Sequence, residues 1–251
     1  MSGHSKWSTI KRKKGVADAK RGQLFTRLAR EISIAVREGG SDIESNFRLR
    51  LAVEKARANN MPKENIDRAI KRGSGGDKEA MNFEEIMYEG YAPNGVALMI
   101  SVVTDNRNRT VAEIRHILSR HGGSLGETGS VAWQFKHTAY FSLQAQGIDP
   151  DAVFELAVDA GADDVKFDDN LIEIIAPVEA FKQISDALHK ANLHPDEAGL
   201  KMLPTNEIEL NKEDSLQVMK VIEALEELDD VQEVFSNLNI SDEVMAELAA
   251  A

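Results

Sequence analysis

The chain has 251 residues, 42% apolar and 29% charged, the composition of a folded globular protein rather than one too polar to bury a core. Its length allows two or three small domains, and no apolar run approaches the roughly 18 residues that a membrane-spanning helix needs. There is no cysteine, which excludes disulfides, thiolate metal sites and cysteine nucleophiles together and fits a reducing, cytoplasmic setting. The net charge of -12 is unevenly shared: residues 1–75 hold 18 Lys/Arg against 8 Asp/Glu, and residues 76–251 hold 12 against 34. A basic module on an acidic body predicts that only the first part meets a polyanion.

Taken in chain order, residues 2–15 read as a basic arm. Lys6, Trp7, Lys11, Arg12, Lys13 and Lys14 lie within it. A mitochondrial presequence would also be basic, but here the basic character runs on into an amphipathic helix, and no apolar signal core is present. That helix spans 21–38, with Leu24, Phe25, Leu28, Ile32, Ala35 and Val36 on one face. Lys20, Arg27, Arg30 and Arg37 cluster on the opposite side and are expected to face outward, and Arg21 joins the basic run that precedes them. Gly39-Gly40 ends the helix and Ser41 or Asp42 caps a second, over 43–58, carrying Phe47, Leu51 and Ala52 inward. Pro62 opens a third helix with Ile66, Ala69 and Ile70, which stops at Gly73. GSGGD, residues 73–77, reads as a flexible linker; it lacks the Gly-Lys-Ser/Thr ending of a phosphate-binding loop.

Beyond the linker strands alternate with helices. A Pro-Asn-Gly turn leads into the buried-type strand VALMISVVT, followed by a helix over 110–121, the glycine-rich loop GGSLGETG and the strand SVAWQF. Then come YFSLQ, a helix over 149–160, DVKF, LIEIIAP, a helix over 178–191 and GLKMLP, a βαββαβ order that is ferredoxin-like. Helix 213–228 and strand VQEVFSNL close the chain; having no partner in that unit, they are expected to complete the earlier β–α–β piece. The expected fold is α+β in three domains. An N-terminal helical bundle, 1–76, precedes two α/β domains with antiparallel sheets, one of 77–135 plus 206–240 and a ferredoxin-like one, 136–205, inserted in it.

No constellation for catalysis stands out. His116 and His121 are five apart, as are His189 and His194, so neither pair shares a helix face as metal ligands do in H-E-x-x-H. There is no dinucleotide G-x-G-x-x-G. Asp163-Asp164 and Asp168-Asp169 read as turns between strands rather than a cation loop. TDNRNRT, residues 104–110, is the better polar candidate: it joins a buried strand to a helix, where Arg107 and Arg109 beside the helix N-terminus suit a phosphate, or else pair with neighbours. The basic arm and helix face point to nucleic acid, held through phosphates, with Trp7 available for stacking. No helix-turn-helix or RNA-recognition signature separates DNA from RNA.

GHSKWSTIKRKKGVADAKRGQLFTRLAREI, NNMPKENIDRAIKRG, YEGYAPNGVALM, TDNRNRT and GGSLGETGSVAWQF resemble, in order, motifs of the YebC family, which includes the mitochondrial translational activator of cytochrome c oxidase. The resemblance covers nearly the whole chain. It implies a helical first domain and two α/β domains, no enzymatic activity, no cofactor, and a DNA-binding transcriptional regulator of the bacterial cytoplasm. Other members are linked to translation, acting on ribosomes and on stalls at proline-rich stretches, which implies ribosomal RNA as the alternative partner. No membrane and no small-molecule substrate is implied.

Overall fold

The computed structural model of the chain describes residues 18–76, 83–168 and 170–250. Three helices open it: α1 (Asp18–Gly39), α2 (Phe47–Ala58) and α3 (Lys63–Lys71). They are followed by β1 (Glu84–Tyr91), β2 (Ala97–Thr104), α4 (Arg107–Arg120), β3 (Ser124–Leu125) and β4 (Phe135–Gln144). Next are α5 (Pro150–Asp159), β5 (Asp164–Asp168), β6 (Leu171–Ala176), α6 (Phe181–Lys190) and β7 (Glu197–Pro204). The chain closes through β8 (Ile208–Glu209), α7 (Lys212–Glu226), β9 (Val231–Ser236), β10 (Leu238–Asn239) and α8 (Asp242–Ala250). The architecture is α+β: N-terminal helices, then two antiparallel sheets.

The helical part is held by one apolar face of α1. Leu28, Ile32, Ala35 and Val36 close on Leu49, Ala52, Val53 and Ala56 of α2 and on Ile66 and Ala69 of α3. The expected cap at Ser41 or Asp42 is corrected to Asn46. Its Oδ1 accepts from the Leu49 amide at 3.0 Å while Nδ2 donates to the carbonyls of Ala35 and Gly40 at 2.7 Å. A buried carboxamide that uses both ends fixes the turn better than a serine hydroxyl would, so α2 starts at Phe47. GSGGD also differs from expectation. Arg72–Gly76 continues α3 as one wide turn, and a Cβ on Gly73 would lie 2.4 Å from the Ser33 carbonyl of α1. Gly73 is there for close packing rather than flexibility; Asp77 lies outside the described residues.

The first sheet has the order β3-β1-β2-β9. Leu98, Ile100 and Val102 of the central strand β2 share a core with Ile114 and Leu118 of α4 and Val218, Ile222 and Leu225 of α7. The sequence reading did not mark β1, whose EEIMYEGY is too rich in glutamate to read as a strand, nor α8, which adds Val244, Met245 and Leu248 to the same core. SVAWQF is not a strand. The amides of Gly129, Val131 and Ala132 donate to the Glu89 carboxylate at 2.6, 2.8 and 2.8 Å, which bends the segment into a loop ending in a single turn, Ala132–Gln134. Glu89 is only 6% exposed. Burial opposes its ionisation, but the three amide donors outweigh that and hold its carboxyl below the usual glutamate value.

Phe135–Leu203 forms one compact unit, and the chain up to Gln134 and from Pro204 onward forms the other. The first unit has strand order β5-β6-β4-β7, the 2-3-1-4 order of a ferredoxin-like sheet. Its first strand starts at Phe135, five residues before YFSLQ. Phe181 of α6 meets Phe141 of β4 with ring centroids 4.5 Å apart, and Asp149 caps α5 as expected.

The Gly73 approach sets a test. Gly73→Ala forces α3 away from α1 and is expected to destabilise the protein by about 1–3 kcal/mol, seen as a lower urea midpoint. An unchanged midpoint would show that the two helices part without cost.

Candidate nucleic-acid interface

The residues expected to contact nucleic acid fall into separate groups. Lys6, Trp7, Lys11, Arg12, Lys13 and Lys14 lie outside the described residues. Lys20 is on the first turn of α1 and Arg21 follows it, exposed. Arg27 and Arg30 do not face outward as expected, and the reason is the segment that follows α7. Arg27 Nη2 donates to the carbonyls of Glu226 and, at 3.2 Å, Leu228. Arg30 Nη1 donates to the Asp229 carbonyl at 2.6 Å and to Asp230 Oδ1 at 3.0 Å. Gln23 reaches the Glu227 carbonyl at 3.5 Å.

Residues 23, 27 and 30 are spaced i, i+4, i+7, so they form one stripe of α1. That stripe meets the end of α7, where carbonyls lack helical donors and the helix dipole is negative. Burial lowers the Arg27 guanidinium from its ordinary value, opposed by Glu226 and Asp229. The face the sequence assigns to a polyanion is thus occupied by the protein's own oxygens. Arg37, further along, donates to the Phe83 carbonyl at 2.6 Å.

The TDNRNRT corner belongs to the same network. Asn106 caps α4 by accepting from the Arg109 amide at 3.1 Å, so α4 begins at Arg107, three residues before the expected start. Arg107 is exposed and its Nε lies 3.7 Å from Glu84. Arg109 donates to Asp230 Oδ2 at 2.6 Å and to Asp105 at 3.0 Å. The hydroxyls of Thr104 and Thr110 add bonds to the same Asp230 oxygen, at 3.0 and 2.7 Å. Asp230 is 2% exposed. Its burial opposes ionisation, but the donors from Arg109, Thr110 and Thr104, with the charge of Arg30, hold its carboxyl below the usual aspartate value.

Other cations of the helical part stand on the surface. Arg57 at the end of α2, and Lys63, Arg68, Lys71 and Arg72 on or just after α3, are exposed. At 100° per residue Arg68 and Lys71 lie on the side of α3 opposite Ile66 and Ala69, with Lys63 and Arg72 at its flanks. The motif NNMPKENIDRAIKRG carries Lys63, Arg68, Lys71 and Arg72 interspersed with Glu64 and Asp67, so charge count alone does not single them out. Among the described residues no group of three or more His, Asp and Glu is placed to hold a metal ion. No described helix is long and apolar enough to cross a membrane.

Asp230→Ala removes a shared acceptor from the hydroxyls of Thr104 and Thr110 and from the guanidinium groups of Arg30 and Arg109. We expect a loss of about 2–4 kcal/mol, toward the lower part of the range for a broken buried pair because Arg109 is half exposed. Because the folded-state value lies below the unfolded one, the stability that Asp230 contributes is complete above the usual aspartate range. It is lost as pH falls from that range down through the lower folded-state value, and the alanine variant should not show this part of the acid dependence in urea titrations.

Two family descriptions match the chain. Residues 5–76 match the TACO1/YebC protein N-terminal domain, and residues 83–238 match the TACO1/YebC second and third domain. A protein of Syntrophus aciditrophicus is 48% identical over 250 residues, covering 100% of both chains. One of Borrelia turicatae is 52% identical over 244 residues, covering 97% of this chain and 100% of its own. Both are called probable transcriptional regulatory proteins. The crystal structure of a conserved hypothetical protein from Aquifex aeolicus superposes with a TM-score of 0.82 at 42% identity, over 91% of this chain and 94% of that one. With both parts matched and relatives aligned end to end, the chain belongs to the TACO1/YebC family.

Proposed function

We propose that this protein is a non-enzymatic, cytoplasmic regulator that binds DNA through the phosphate backbone, as a transcriptional regulator. The observation that carries this reading is the segregation of positive charge. The first 75 residues are strongly basic within a chain of net charge -12, and their described part exposes Arg57, Lys63, Arg68 and Lys71. Phosphate contacts of this kind bind without reading sequence. Arg27, Arg30 and Arg109 serve the protein's own oxygens in this reading, so the contacts fall to the arm (Lys6, Trp7, Lys11, Arg12, Lys13, Lys14), to Lys20 and Arg21, and to the exposed cations of α2 and α3. The acidic remainder offers phosphates little attraction, so the electrostatic contacts are assigned to that end. No cofactor, membrane or small-molecule substrate enters the reading. Functionally we divide the chain into 1–76, 77–135 plus 206–240, and 136–205, the first part carrying the polyanion surface.

A second reading is a ribosome-associated factor that meets ribosomal RNA through the same cations. One observation favours it: a strongly exposed tryptophan, Trp133, which suits unpaired bases better than a duplex.

The test uses full-length protein with Lys11, Arg12, Lys13 and Lys14 replaced by glutamine, and a second variant neutralising Arg57, Lys63, Arg68 and Lys71. Each set should weaken binding to duplex DNA and lower the slope of log affinity against log salt by about 3–4, close to one per lost phosphate contact. Unchanged affinity and slope in both would remove the reading. Sedimentation of lysate through a sucrose gradient separates the two targets: co-migration with ribosomes supports translation, and absence from them supports DNA.

A further inference from the structure

Trp133 is 70% exposed, more than any other large apolar side chain among the described residues. Met87, Phe154, Val158, Phe167 and Leu200 are also exposed, but they sit on strands or helices, whose periodicity turns some side chains outward. Trp133 stands instead on a turn whose shape is fixed by dedicated hydrogen bonds. The Glu89 carboxylate binds the amides of Gly129, Val131 and Ala132. Tyr91 Oη donates to the Ser130 carbonyl at 3.1 Å. Asn237, 1% exposed, donates from Nδ2 to Gln134 Oε1 at 2.9 Å and accepts from the Ala97 amide at 2.8 Å.

Burying a carboxylate is costly unless every partner is in place, so this loop shape is built rather than incidental. What it holds up is an indole. Its only hydrogen-bonding group is already used, because Nε1 donates to the Ser130 carbonyl at 3.1 Å. The ring therefore offers a flat π surface, fixed in direction, with no donor left to read a partner's edge. Such a surface recognises a planar ring by stacking, which tolerates any base. Bases within a duplex have both faces covered by neighbours, so only an unpaired base can reach it.

We propose that Trp133 is a stacking platform for an unpaired nucleobase of single-stranded RNA or DNA. This rests on the nucleic-acid-binding reading above and adds a second contact, apart from the basic arm and helices, that discriminates single strands from duplexes.

The experiment uses the full-length protein. The chain has two tryptophans, so a Trp7→Phe background leaves Trp133 as the sole indole emitter. Oligouridine and oligoadenosine of about 12 nucleotides, long enough for a single-strand groove, are titrated against duplex DNA. Single strands should quench Trp133 emission on binding, and duplex DNA should not. Trp133→Ala should weaken single-strand binding by about 5- to 100-fold, the range for one base stacked on an aromatic ring, while leaving duplex binding and the urea midpoint unchanged. Trp133→Phe, which keeps a ring, should recover most of the loss. The proposal is overturned if bound single strands leave the emission unchanged, or if Trp133→Ala binds them as tightly as the parent. It is also overturned if Trp133→Ala weakens duplex and single strand alike. These outcomes leave the charge-based reading intact. If neither kind of strand binds the parent protein, both readings fall together.

Discussion

A carboxylate removed from water must find donors for both of its oxygens, and the organisation of the larger unit depends on how Asp230 meets that demand. Asp230 sits between the end of α7 and the start of β9, and its partners come from three places. Thr104 ends the central strand β2, Thr110 and Arg109 lie in the first turns of α4, and Arg30 projects from α1. One buried group therefore ties the first sheet, the helix that crosses it and the N-terminal helices to a single point. The Asp230 carbonyl also accepts from the Val103 amide at 2.8 Å, so the backbone there is pinned as well.

The same point explains why positive charge on α1 and function are not the same thing. Arginine suits this position because its planar fork satisfies several oxygens at once, and the end of α7 supplies carbonyls with no helical partner. Arg27 donates there from Nη2 and Arg30 from Nη1. Arg57 of α2 and Lys63, Arg68 and Lys71 of α3 are exposed instead, which suits them to phosphate. Glu89 plays a comparable part at the other end of the sheet. It collects three amides, and in doing so sets the direction of Trp133. In both places a buried acid, not an apolar contact, decides where a side chain of chemical interest points.

Much of the fold was legible in the sequence because it follows from periodicity. The apolar stripe of α1, the continuous run of β2, and the βαββαβ order that gives the β5-β6-β4-β7 sheet are all local patterns with one good solution. The misses share a different cause. SVAWQF alternates and is rich in β-forming residues, yet Glu89, some forty positions away, takes its amides and keeps it out of the sheet. EEIMYEGY looks too polar for a strand, but β1 lies between β3 and β2, with Glu84 and Glu85 exposed and the buried Glu89 bonded to three amides. Asn46 displaced the expected cap because the Ala35 carbonyl, eleven residues earlier, completes its bonding.

Of the candidate site, the amino-acid order alone places the positive charge in the first 75 residues and carries the motifs of the family. Charge count and motif order are properties of the chain alone and survive any folding. Which cations are available could be decided only by tertiary structure. Whether Arg30 meets a phosphate or Asp230 depends on bringing together residues 200 positions apart, and helical periodicity reports only that Arg30 lies opposite the apolar stripe, not what lies beyond it. The exposure of Trp133 was hidden for the same reason. An indole in an apolar-looking run reads as core until a distant carboxylate bends that run outward.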